Sequence, residues 1–113
     1  MVRVKRVYDA ASADDGFRVL VDRLWPRGLT KERAAVDWWA KDAAPSTELR
    51  RAFHQGALTW AEFEEAYRAE LATNPAVGQL RTELAQHTVA TLLFGAHDAE
   101  HNHAVILLAA LEA

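Results

Sequence analysis

VATLLFGAHDAEHNHAVILLAAL, residues Val89 to Leu111, reads as a buried strand, a polar loop and an apolar helix. The run 89–94 is short, unbroken and rich in strand formers, the pattern of a parallel strand covered on both faces. Gly95 interrupts it. The next segment sets His97, His101 and His103 beside Asp98 and Glu100. Beyond it Ala104, Leu107, Leu108 and Leu111 recur at helical spacing, with Val105 and Ile106 widening the apolar face. Chemistry in open α/β sheets gathers where strands end and helices begin, so this stretch marks where a site belongs without naming a reaction.

Working outward, Val2 to Tyr8 alternates apolar and basic residues and predicts a first strand near a sheet edge. Asp9 to Gly16 is a polar loop. Residues 18–24, around Val19-Leu20-Val21, predict a second interior strand. Pro26 and Gly28 then take the chain out of the sheet, carrying Arg23 and Arg27 with it. Thr30 suits an N-cap for a short helix over Lys31 to Ala35. Val36 to Trp39 fits either a short third strand or a continuation of that helix. Ser46 can cap a helix with Leu49, Ala52 and Phe53 inward, closed by Gly56. Thr59 and Glu62 form a capping box ahead of the stripe Trp60, Phe63, Tyr67 and Leu71. Asn74-Pro75 ends that helix, and Val77, Leu80 and Leu84 organise the next. The fold class implied is α/β: a single domain over 1–113 with a small, mainly parallel sheet of three to four strands flanked by helices. Residues 18–24 and 89–94 should run parallel and open on the same side. That brings the loop at Asp22 to Gly28 near the loop at Gly95 to Asn102.

Composition narrows the function. Half of the 113 residues are hydrophobic and four are tryptophan, which suits one folded domain with a core and argues against disorder. The absence of cysteine excludes disulfides, thiolate catalysis and zinc fingers. Met1 to Arg6 lacks the apolar centre of a signal peptide, and no apolar run reaches membrane-spanning length, so the expected location is cytoplasmic, with no membrane partner. The net charge of -3 conceals an asymmetry: residues 1–33 hold eight Lys or Arg against five acids. That excess is too mild for a dedicated nucleic-acid binder but enough to line one anion pocket. No Gly-x-Ser-x-Gly elbow or phosphate-binding Gly-rich loop is present, which argues against a serine hydrolase or a nucleotide-driven enzyme. No motif specifies a cofactor.

Under this topology Arg23, Arg27, Lys31 and Arg50 converge on the mouth of the last helix, where free N–H groups and the helix dipole favour a small anionic ligand. The competing reading pairs these arginines with Asp22, Asp98 and Glu100, merely fastening loops. His101, oriented by Asp98, or else His54, could move a proton near neutral pH. Asn102 is a good N-cap and also a possible ligand contact. A metal is not expected. His97 and His101 share a helical face, but His103 points almost the opposite way. Trp60 belongs to a core stripe, whereas Trp38 and Trp39 cannot both point inward on one face of a strand. An exposed tryptophan with the basic amino-terminal third supports the alternative, a non-enzymatic interaction or nucleic-acid-associated module.

Several strings carry a family resemblance. Arg6-Val7-Tyr8-Asp9, Asp14-Asp15-Gly16-Phe17-Arg18, the specific run Val21-Asp22-Arg23-Leu24-Trp25-Pro26-Arg27-Gly28, Ala44-Pro45-Ser46-Thr47-Glu48-Leu49-Arg50 and His101-Asn102 resemble the YeaO-like family, a branch of domain of unknown function 488. The resemblance spans nearly the whole chain and implies a compact α/β domain, with no activity or cofactor attached. Larger relatives carry a Cys-His pair where this chain has Asn102-His103, so cysteine chemistry does not carry over. The family more often shows arginine at position 97. The resemblance thus implies a cationic, anion-facing role for position 97, here His97, and weakens a three-histidine metal site.

Overall fold

The structure is a computed structural model describing residues 1–113. The alternating amino terminus forms strand β1 (Val2–Arg6), and the apolar run after Gly16 forms β2 (Phe17–Leu20). A one-turn helix, α1 (Lys31–Ala34), precedes the two-residue strand β3 (Trp38–Trp39). Three helices follow: α2 (Thr47–His54), α3 (Trp60–Ala72) and α4 (Ala76–Leu84). The chain ends with β4 (Ala90–Phe94) and α5 (His103–Glu112). Short 3-10 turns cover Ala13–Asp15 and Lys41–Ala43.

The sheet is four-stranded and wholly parallel, in the order β1-β4-β2-β3. The strand read from residues 89–94 is therefore central, with every residue of β4 buried. Leu92 lies beside Val4 on one side and Val19 on the other, so β2 and β4 open on the same side as expected. β2 is shorter than the span 18–24. The Val21 N–H still bonds the Leu93 carbonyl, but the Asp22 carboxylate then turns to the Gly95 N–H and ends the ladder.

Period-two alternation divides the core. Val19, Val21, Leu92 and Phe94 pack with residues of α2 to α5 on one face. Val7, Leu20 and Leu93 pack with Ala34, Trp25, Leu29 and Val36 on the other. A sheet covered on both faces resolves the tryptophan pair. Trp38 joins the larger cluster and Trp39 the smaller, and both are partly buried. All four tryptophans are at least partly buried, and Trp38 and Trp39 both line a small hollow of about 140 Å³ beside Ala76 and Leu80.

The caps sit where the polar residues placed them. Ser46 accepts the Leu49 N–H, Thr59 and Glu62 close a reciprocal box, and Asn102 accepts the Val105 N–H. At the amino edge of the sheet the buried Asp15 pairs with Arg18 and Lys5, while Arg18 also donates to the Ala34 and Ala35 carbonyls. No helix is long and apolar enough to cross a membrane.

Candidate functional site

A cavity of about 500 Å³ opens at the carboxyl ends of β1, β2 and β4. Each strand contributes residues that follow it: Tyr8 after β1, Asp22 and Leu24 to Arg27 after β2, and Gly95 to His97 after β4. Arg50, Phe53 and His54, spaced to share one face of α2, form the opposite wall. Trp60 and Phe63 from α3 complete an aromatic floor. The Phe53 and Phe63 rings stack at 4.5 Å, and Trp60 lies 5.6 Å from Phe63. His103, the first residue of α5, closes the inner end.

The inner end is an aspartate–histidine pair. Asp22 Oδ2 accepts the Gly95 N–H at 2.9 Å. That approach requires a residue without a side chain, because a Cβ on Gly95 would stand 2.8 Å from the same oxygen. His103 Nε2 lies 2.9 Å from the Val21 carbonyl and 3.1 Å from Asp22 Oδ1. Two acceptors around one nitrogen assign the proton to Nε2. That proton is directed to Val21, and Asp22 Oδ1 is left buried without a hydrogen bond. Arg50 Nε is also buried without a partner. These are the two such side-chain atoms in the chain, and both residues line this cavity. Natural proteins satisfy nearly all buried polar atoms, so two orphans in one cavity require a reason.

The residues singled out from sequence fall into two groups. Arg27, Arg50, His54 and His97 line the cavity together. Arg23 does not. Its guanidinium donates to the Pro45 carbonyl at 3.1 Å and the Ala44 carbonyl at 3.2 Å, fastening the β2 loop to the segment ahead of α2. Its partners are backbone carbonyls and not carboxylates. Lys31 is exposed on α1 and does not reach the cavity. Asn102 is buried as a cap, with its amide oxygen taken by Val105 and its nitrogen donating to the Asp98 carbonyl.

His101 and Asp98 do meet, at 3.3 Å, but both are exposed and neither lines the cavity. The backbone N–H groups of His101 and Glu100, and then the His101 ring, hold the Asp98 carboxyl below the usual carboxylate range against a small opposing desolvation. Asp98 thus shapes the loop, and the His101 ring packs against Trp60 at 5.1 Å. No group of three or more His, Asp or Glu side chains is arranged to hold a metal ion.

Among the acidic and basic residues of the cavity, Asp22 and His103 are those that sequence reasoning missed as site candidates. Asp22 carried a usable signal: it is the first polar residue after a buried parallel strand, at the end where ligands bind. His103 carried none, because its partners are 81 and 82 positions back in the chain. A wider and shallower hollow, of about 840 Å³, lies at the opposite edge of the sheet. Its charged walls include Asp14 and Asp37, its His87 ring stacks on Phe17 at 3.9 Å, and no side chain there is orphaned.

Comparison with known proteins gives a consistent family. The chain matches the family described as the inactive DUF488-N3 subclade over residues 1–113. YeaO of Escherichia coli (strain K12) is 47% identical over 106 residues, covering 94% of this chain and 92% of YeaO. Mb3100c of Mycobacterium bovis and Rv3073c of Mycobacterium tuberculosis are each 42% identical over 106 residues, covering 94% of this chain and 89% of theirs. The names of all three describe them as uncharacterized. No solved structure matches. A profile match over the full chain and this level of identity place the protein in the YeaO-like branch of the DUF488 family.

Proposed function

We propose that the chain is a small-molecule-binding domain whose strand-end cavity takes an anionic ligand with an apolar or aromatic body. The observation that carries this reading is the buried, unpartnered Nε of Arg50 in the cavity wall. A guanidinium Nε–H buried without a protein partner costs stability unless an acceptor arrives from outside. Arg27 adds a second fixed positive charge, and His54 and His97 add donors. The body of the ligand is indicated by the walls: Trp25, Phe53, Trp60 and Phe63. Of the three exposed large hydrophobic side chains in the chain, Tyr8 and Leu24 stand at this cavity. The volume falls within the range of roughly 300–1,000 Å³ usual for small-molecule sites.

Binding rather than turnover is favoured. His101 and Asp98 stand outside the cavity, and the subclade is described as inactive. The test is calorimetric titration with aromatic carboxylates and inorganic phosphate, on the native chain and on Arg50→Gln. Arg50→Gln should weaken binding roughly ten- to a hundredfold, the equivalent of one charge-assisted hydrogen bond. Unchanged affinity in Arg50→Gln, or no affinity for any anion in the native chain, would remove the reading.

A further inference from the structure

We propose that the ligand is amphoteric: it presents an N–H or ammonium group to Asp22 and an anionic group to Arg50. This rests on the anion-binding reading and adds a second recognition point to it. The two orphaned atoms of the chain have opposite demands, since Asp22 Oδ1 needs a donor and Arg50 Nε needs an acceptor. No ion pair joins them across the cavity, although both residues line it. Asp22 Oδ1 has His103 Nε2 at 3.1 Å, but that nitrogen's proton is directed to Val21, and Arg50 Nε has no protein partner, so each keeps the capacity to bind a group from outside the chain.

A carboxylate in an anion pocket also sets specificity. A ligand carrying only negative charge would gain at Arg50 and be repelled by Asp22, and repulsion of the wrong ligand is half of discrimination. Asp22 cannot turn away to relieve that repulsion. Its Oδ2 is held by the Gly95 N–H at 2.9 Å. The neighbouring His103 Nε2 donates to the Val21 carbonyl and stands 3.1 Å from Oδ1, which makes no hydrogen bond within the chain. A ligand lacking the donor leaves this buried oxygen unpaired. Sites built to hydrogen-bond one group reject analogues without it far more strongly than apolar walls discriminate a methylene. The rings of Phe53, Phe63 and Trp60 provide the surface on which a flat body joining the two ends would lie.

Two matched pairs test this: 4-(aminomethyl)benzoate against 4-methylbenzoate, and phenylalanine against 3-phenylpropionate. Binding of each is measured by calorimetry or by NMR titration on the full chain. In at least one pair the amino member should bind at least tenfold tighter, and Asp22→Asn should erase that advantage while the amine-free carboxylate binds as well or better. Asn can still accept from Gly95, and a denaturant melt verifies that the variant is folded. If carboxylates bind but neither amino member binds tighter, the amphoteric ligand is overturned and the anion site stands. If the advantage survives Asp22→Asn, recognition of the amine belongs elsewhere and the assignment to Asp22 fails. If no member of either pair binds, the anion reading itself fails along with this one.

Discussion

Arg18, Arg23 and Arg50 show how differently one residue type can be used within a small domain. Arg18 is buried, pairs with Asp15 and satisfies two carbonyls of the α1 turn. Removing Arg18 leaves Asp15 with Lys5 and the Ser12 N–H but strands the Ala34 and Ala35 carbonyls, so Arg18→Met should lower stability by about 1–3 kcal/mol in urea melts. Arg23 spends its guanidinium on the Ala44 and Pro45 carbonyls. Arg23→Ala should cost about 1–3 kcal/mol and leave anion affinity unchanged. A normal melting midpoint with lost anion binding would return Arg23 to the site. Arg50 inverts this pattern, because its Nε has no partner to lose. Arg50→Leu should match or exceed the native midpoint while anion affinity falls roughly ten- to a hundredfold. Gly16 is constrained by backbone alone: its φ is +64°, and a Cβ would stand 2.1 Å from the Val89 carbonyl oxygen. Gly16→Ala should destabilise by more than about 2 kcal/mol, since with its ψ of −133° that backbone conformation is nearly confined to glycine and costs other residues about 1–3 kcal/mol.

Among the elements, α5 depends most on a single polar residue. It is apolar on nearly all sides, so its start is specified by Asn102 rather than by a change in periodicity. Asn102→Ala removes the bond from the Val105 N–H and the donor to the Asp98 carbonyl, and should cost about 1–2 kcal/mol. Faster amide exchange in the first turn of α5, with α3 protected as before, is the expected signature. An unchanged exchange pattern would show that burial of Ala104, Ile106 and Leu107 fixes the helix start without its cap. The strand β3 is the opposite case. Two residues carry no measurable period, which is why Val36 to Trp39 read equally well as strand or helix. Pairing decides it: the Asp37 N–H bonds the Arg18 carbonyl and the Ala40 N–H bonds the Leu20 carbonyl.

Across the whole molecule, acid should act first through the amino edge of the sheet. Burial pushes the Asp15 carboxyl up, but the Ser12 N–H, Lys5 and Arg18 together outweigh it and hold the group below its ordinary value of 3.8. Near that pH the native state therefore binds fewer protons than the unfolded chain, and stability rises with pH. The contribution is present above about pH 4 and is lost as pH falls through the lowered native value. Urea midpoints should drop steeply below about pH 4, and Asp15→Asn should flatten that slope. A parallel slope in the variant would assign acid sensitivity to other carboxyls. Read alone, the sequence indicated the α/β class, the parallel pairing of β2 with β4, the helix caps and the side of the sheet on which the loops after β2 and β4 open. Those follow from local periodicity and local hydrogen bonds, which a single segment contains. Only the tertiary structure decided which cations share a cavity. Arg23 and Arg27 are four residues apart, yet one faces carbonyls and the other a cavity wall. The pairing of Asp22 with Gly95 and His103 joins residues 73 and 81 positions apart, brought together by the insertion of β4 between β1 and β2. No segment-level pattern encodes such a contact, because its energy exists only once non-neighbouring strand ends lie side by side.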